Sequence, residues 1–226
     1  MTKPKYHPAK YNDALFPLFW EICQRFQPRS ILDPMAGVGK IAKLRDFGYS
    51  GRIVANELEP EWSEQTPPGV EVRTGDARNM FWAQDGEFDM IITSPTYGNR
   101  MSDKHNARDR SRRYTYKHSL GRDLTEGNTG GMQWGKEYRE THKEIWAECI
   151  RVLAPGGVFV LNVKNHIRKG KVVEVSEWHA QTLQDMGLVL VGRDKVRTPG
   201  MRNGENSALR VESEDVWTFV KGANIA

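Results

Sequence analysis

The junction at residues 30–39 constrains the fold more than any other part of the 226-residue chain. Ser30-Ile31-Leu32-Asp33 is a short apolar run closing on an acid. It passes directly into Pro34-Met35-Ala36-Gly37-Val38-Gly39, a turn with two glycines. A helix is predicted over 40–47, with Gly48 as its stop. Strand, tight turn, helix is the unit from which nucleotide-binding α/β sheets are built. The pattern then repeats. Strands are predicted at 51–56, 70–74 and 88–93, closing on Glu57, on Gly75-Asp76-Ala77 and on Ser94-Pro95-Thr96-Tyr97. Before the junction, Leu15, Leu18, Phe19, Ile22 and Phe26 have helical spacing over 13–26. After it, a long helix is predicted at 136–153 and the turn Ala154-Pro155-Gly156-Gly157 leads into a strand at 158–163. A helix at 175–186 and strands at 188–192 and 216–220 follow, the last two joined by a polar loop over 193–206. Strands alternating with helices imply an open, parallel α/β sheet.

Composition removes several alternatives. Hydrophobic residues make up 38% of the chain, mean hydropathy is −0.65, and no apolar run approaches the ~20 residues of a membrane helix. No signal core follows Met1, so the expectation is an intracellular protein in a cytoplasm, bacterial or that of a phage's host. Two cysteines, Cys23 and Cys149, exclude a disulfide framework and a multi-cysteine zinc site; both are expected in the core. The six histidines form no metal-spaced pair, and His142 and His179 are expected to pack on helices.

The strand ends carry the first chemistry. Asp33, Pro34, Met35, Ala36, Gly37 and Gly39 form a turn whose backbone N–H groups can approach a ligand. Glu57, flanked by Asn56 and Leu58, lies 18 positions after Gly39 and can accept two ribose hydroxyls. Asp76, next to Ala77, can take an adenine amino group. Lys40 is the one basic residue by the turn, so a cofactor with ribose and adenine but without phosphate is expected.

Ser94-Pro95-Thr96-Tyr97 carries the second. Ser94 Oγ and the carbonyl near Pro95 offer two hydrogen-bond acceptors beside the cofactor crevice, and Tyr97 offers a ring for a planar base. An exocyclic amino group is a poor nucleophile because its lone pair is delocalised into the ring. Two acceptors on its N–H bonds localise that pair and steer it towards an electrophilic methyl group. A C5-cytosine mechanism needs a cysteine beside the proline, and position 96 is Thr96.

Residues 33–39 together with 94–97 resemble the class I S-adenosylmethionine-dependent methyltransferases. More narrowly, they are similar to the DNA amino-methyltransferases that make N6-methyladenine or N4-methylcytosine. The family's signature is Asp/Asn/Ser-Pro-Pro-Tyr/Phe, and the Ser form after Thr93 is typical of the N4-cytosine group; Thr96 departs from it where the second proline stands. His7-Pro8-Ala9-Lys10-Tyr11 resembles the family's segment over the methionine end of the cofactor, which brings in Lys10 and Tyr11. Residues 163–170 are similar to the segment after the fifth strand, near the target base, which brings in Lys164, His166 and Arg168.

The resemblance implies one Rossmann-like domain over 1–226, with a mostly parallel seven-stranded sheet and helices on both faces. It implies S-adenosylmethionine as cofactor, Asp33 facing its amino group, DNA as substrate, a flipped base and a place in restriction-modification. Cytosine N4 is the first choice of target and adenine N6 the second. An RNA base amino-methyltransferase and an inactive nucleic-acid-binding relative are the alternatives.

Residues 98–131 hold eight basic and four acidic side chains, so this stretch carries the whole net charge of +4. Asn99, Arg100, Arg112, Arg113 and Tyr114 are the candidate substrate contacts there, the cations for phosphates and the ring for stacking. The insert at about 98–135 and the polar loop at about 193–210 are the candidate target-recognition elements.

Overall fold

The computed structural model describes residues 7–8, 10–96, 115–168, 170–198 and 211–222. Nine strands are assigned among them: β1 Ser30–Asp33, β2 Arg52–Glu57, β3 Glu71–Thr74, β4 Phe88–Thr93, β5 Leu153–Val163, β6 His166–Arg168, β7 Lys171–Val173, β8 Leu188–Arg197 and β9 Ser213–Lys221. Seven form one sheet in the order β3-β2-β1-β4-β5-β9-β8. Pairings from β3 through β5 are parallel, and β9 is antiparallel to both its neighbours. The order reverses between β1 and β4, which places a crevice at their carboxyl ends.

The helices are α1 Phe16–Phe26, α2 Pro60–Ser63, α3 Tyr116–Leu120, α4 Lys136–Val152 and α5 Val175–Asp185. Strand periodicity divides the core in two. Ile31, Ile53, Met90, Ile92, Val158 and Val160 face α1 with its Phe16, Phe19 and Ile22. Leu32, Val54, Ile91, Phe159 and Leu161 face α4 and α5 with Trp146, Cys149 and Leu183. Burial on both faces explains why these strands read as continuous apolar runs. Cys23 and Cys149 are both buried.

Several boundaries differ from the sequence expectation. The helix at 40–47 is a 3-10 helix, Lys40–Phe47, entered through left-handed Gly39 without a side-chain cap and closed by left-handed Gly48. The turn at 154–157 sits inside β5 as an insertion: Phe88 pairs with Leu153, but Met90 pairs with Val158. The start of the predicted 193–206 loop is strand. β8 continues to Arg197, because backbone pairing with β9 holds a polar run on an edge strand whichever way its side chains face. Arg193 is spent on Glu177 and Asp215, and Arg197 meets Glu212. The short hairpin of β6 and β7 was not expected.

Candidate active site

A cavity of about 310 Å³ opens at the carboxyl ends of β1, β2, β3 and β4. Its walls include Pro34, Met35, Ala36 and Gly37 of the first turn, and Glu57 and Leu58 after β2. Asp76 and Ala77 after β3, and Ser94, Pro95 and Thr96 after β4, also contribute. Lys10 and Tyr11 line it from the N-terminal side. Most of the residues expected at a cofactor and at a reacting group thus share one space.

The turn is built differently from the expectation for its glycines. Gly37 and Gly39 have φ of +57° and +66°, where a side chain is strained. A β-carbon on Gly39 would fall 2.4 Å from Thr66 Cγ2, and one on Gly37 would press on the His7 ring at 3.3 Å. The Gly37 N–H donates to Glu57 Oε2 at 2.8 Å, within the protein. The glycines therefore shape the turn through conformation and close packing.

Asp33 is fully buried. It accepts from Tyr11 Oη at 2.9 Å and from the Met35 N–H at 3.2 Å, and does not itself line the cavity. Asn56 also stands behind the wall, donating to the carbonyls of Pro34 and Gly75, each at 3.0 Å, and so tying the first turn to the end of β3. Burial pushes the Asp33 carboxyl up to about 7, with Glu57 adding like charge. Burial likewise pushes Glu57 up to about 7, against the backbone N–H groups that hold it. Asp76 is the contrast: burial works against its charge, but the Arg78 guanidinium and N–H hold its carboxyl below the usual range. Lys40 Nζ is committed to the Tyr11 carbonyl at 2.6 Å and to Asp13 at 2.8 Å.

The wall after β4 is held from three sides. Thr96 Oγ1 shares a 2.9 Å hydrogen bond with Thr129 Oγ1, and the Thr96 carbonyl accepts from Tyr138 Oη on α4. Behind it lies a buried chain. Trp146 Nε1–H donates to His179 Nδ1 at 3.1 Å, which leaves the His179 proton on Nε2, facing Tyr138 Oη at 3.0 Å. Burial keeps His179 and His142 neutral, the latter lowered to about 4. Ser94 Oγ accepts from Asn162 Nδ2 at 3.2 Å.

Sequence reasoning missed part of the wall. Trp62, Tyr116, Gly127, Asn128, Thr129, Ile145, Asn162 and Glu214 also line the cavity. His7, Trp62 and Tyr116 form an aromatic cluster with ring centroids 4.1–5.7 Å apart. The described half of the basic insert, from residue 115 on, thus folds over the cavity. Its Arg122 is no free cation: it pairs at 2.6 Å with both Glu59 and Glu61. Glu59 is wholly buried and also accepts from the Thr125 N–H, Thr125 Oγ1 and Asn128 Nδ2. Asn162 had a signal in the sequence, a lone polar residue in an apolar strand. Tyr116 also had one, as an aromatic interleaved in the basic stretch that could stack on a base; Trp62 and Glu214 had none, since tertiary contacts alone bring them in.

Of the substrate candidates, Lys164, His166 and Arg168 are not on the cavity wall. Lys164 Nζ donates to the Thr198 carbonyl and hydroxyl at 2.8 and 3.0 Å, and His166 is buried. Tyr97, Asn99, Arg100, Arg112, Arg113 and Tyr114 lie outside the described residues.

The fold is shared with solved methyltransferases. A SAM-dependent methyltransferase from Methanosarcina mazei is 12% identical at a TM-score of 0.58, covering 96% of this chain and 100% of that one. The Burkholderia thailandensis 1,6-didemethyltoxoflavin-N1-methyltransferase, solved with S-adenosylhomocysteine, is 14% identical at 0.53, covering 93% and 79%. The sheet is thus the Rossmann-like class I methyltransferase sheet. In sequence, the Type II methyltransferase M.CvrRI of Paramecium bursaria Chlorella virus XZ-6E is 31% identical over 94 residues; the match spans 41% of this chain and 24% of that protein's length. Residues 88–225, more than half of the chain and including the wall after β4, match the model of the N6/N4-type DNA methylases, and the chain belongs to that family.

Proposed function

We propose that the chain transfers a methyl group from S-adenosylmethionine to an exocyclic amino nitrogen of a base in DNA, with cytosine N4 as first choice and adenine N6 as second. The observation that carries this is the sharing of one cavity by Ser94 and Pro95 with Glu57 and Asp76. Acceptors for an amino group and acceptors for an adenosyl group then face the same space.

The residues fit this cofactor. None of the hydrogen bonds that Asp33 and Glu57 accept among the described residues comes from a cation. Two desolvated carboxyls near 7 favour a ligand that brings positive charge. Lys40 is already paired, so the turn offers no phosphate cradle. Met35, Leu58, Ala77 and Ile145 give apolar walls for a ring. Glu57 has lone pairs left for ribose hydroxyls, and Asp76, kept ionised by Arg78, can accept an adenine amino group. Asp33 acts on the ligand's ammonium through its charge, since it stands behind the cavity wall and does not line it.

When bound, the cofactor supplies an electrophilic methyl group on a sulfonium. Ser94 Oγ and the Pro95 carbonyl orient the target amino group by accepting its N–H bonds, which returns the lone pair to nitrogen. Tyr138 and Thr129 fix the backbone that carries these acceptors. Tyr97 stacks on the base, which leaves its duplex to reach the cavity. Asn99, Arg100, Arg112, Arg113 and Tyr114 contact the nucleic acid.

The test is incubation of the purified chain with methyl-labelled S-adenosylmethionine and with DNA or RNA, followed by nucleoside mass spectrometry. N4-methylcytosine in DNA is expected, and it should disappear in Ser94→Ala. N6-methyladenine instead would change the base. Product confined to RNA, or tight DNA binding with no transfer, would overturn the proposal.

A further inference from the structure

The wall behind Ser94 holds an acid that neither the strand-end motif nor the cofactor turn accounts for. Asn162 lies near the end of β5, is 1% exposed and lines the cavity. Its Nδ2 bears two hydrogens, and both are directed: one to Ser94 Oγ at 3.2 Å, the other to Glu214 Oε2 at 2.8 Å. Glu214 is on β9, the antiparallel neighbour of β5, is half-buried and lines the same cavity. Asn162 Oδ1, by contrast, has no hydrogen-bond partner among the described residues, although it is buried.

An amide can rotate by half a turn and exchange its oxygen and nitrogen at little cost in shape. The Glu214 carboxylate removes that freedom. It is an acceptor only, so it selects the nitrogen and fixes which way the amide faces. The second N–H then lies on Ser94 Oγ, occupies one acceptor direction of that hydroxyl and so narrows the directions left to its proton and its second lone pair to two. Oδ1, without a partner among the described residues, is left as a fixed, buried acceptor behind the wall. A serine motif differs from an aspartate one here: a hydroxyl rotates, and its lone pairs point nowhere in particular until a neighbour orients them.

We propose that Glu214 is a positioning residue for amino methylation: through Asn162 it aligns Ser94 Oγ with the target amino group. This rests on the methyl-transfer proposal above. Glu214 touches neither the donor nor the nitrogen in this scheme, and its negative charge on the wall further favours the positive charge that develops on nitrogen as the C–N bond forms.

The test is kcat and KM for methyl transfer to DNA in wild type, Glu214→Gln, Glu214→Ala and Glu214→Asp, with S-adenosylhomocysteine affinity measured by calorimetry and folding by thermal melting. Glu214→Ala is expected to lower kcat about tenfold or more, with KM for DNA and S-adenosylhomocysteine affinity within twofold of wild type. Glu214→Gln, which can present its own N–H to Asn162 and so release the amide, is expected to fall between Ala and wild type. Glu214→Asp is expected to recover part of the rate. A wild-type kcat in Glu214→Ala would overturn the proposal. So would a loss confined to KM or to S-adenosylhomocysteine affinity. If Glu214→Ala and Glu214→Gln fail to fold, Glu214→Asp carries the test: reduced kcat at unchanged KM supports it, and wild-type kcat overturns it. Wild-type protein that binds S-adenosylhomocysteine but methylates no DNA would instead sink the functional proposal on which this one rests.

Discussion

Glu57, the last residue of β2, and Glu59 stand two residues apart, both buried, and their hydrogen bonds come from opposite kinds of partner. Among the described residues, Glu57 receives backbone N–H groups, from Gly37 and Glu59, and no cation, and lines the cavity with a carboxyl pushed up to about 7. Glu59 receives a guanidinium, an amide and a hydroxyl from residues 122–128 and holds that segment down. The difference separates two uses of a buried acid. One is consumed by the fold and closes a wall. The other is desolvated without a counter-charge, an unfavourable state that a cationic ligand relieves.

If that division is right, removing the structural acid has the largest effect on stability. Glu59→Ala leaves Arg122 with Glu61 as its one acid partner among the described residues and strands three further donors, and should cost about 3 kcal/mol in urea unfolding, less than a fully buried pair because Arg122 reaches solvent and keeps that partner. The acids desolvated without a counter-charge should instead show in the pH dependence. In the fold, Asp33 and Glu57 are raised from ordinary values of 3.8 and 4.5 to about 7. Their contribution to stability is therefore full below about pH 4 and is lost as pH rises through 7. From Glu57 alone, the ligand-free protein should be about 2 kcal/mol less stable at pH 8 than at pH 5. Proton release on binding S-adenosylmethionine at pH 7, measured by calorimetry in buffers of different ionisation heat, should accompany the recovery.

Glu57→Gln is the sharper version. It should weaken S-adenosylhomocysteine binding about tenfold, by loss of charge and of ribose acceptors, without the stability loss of Glu59→Ala. If Glu57→Gln unfolds the protein, the two acids do not differ as described. The smallest effect is expected at the link between clamp and reacting wall. Thr96→Val removes the hydroxyl bond to Thr129 and should cost about 1 kcal/mol, a fall of roughly 3 °C in melting temperature.

Legibility in the sequence follows the same line. Asp33, Glu57, Asp76 and Ser94 could be found because each ends a strand, and parallel strands deliver their ends to one edge whatever the rest of the chain does. The strands themselves were readable as apolar runs with turn residues between them. Asn56 and Asp33 were named for ligand contact and stand one layer behind the cavity wall, since sequence position fixes the strand end but not which way a side chain faces. Trp62 and Glu214 were invisible because their place depends on a segment folding back across the cavity, or on an antiparallel strand that brings Glu214 to Asn162 from 52 residues away. The 193–197 strand was hidden by its polarity, since edge pairing is a backbone property.

Thr96 carries a consequence of its own. A second proline would stiffen the loop after β4 by its ring, independently of everything around it. With threonine, the same loop borrows part of its rigidity from residue 129, on a separate stretch of chain, beside what Tyr138 and Asn162 supply, so that part of the stiffness is conditional. Loosening of the stretch around Thr129 would reach the wall after β4 by that hydroxyl pair, and the covering of the cavity and the set of its acceptors become linked.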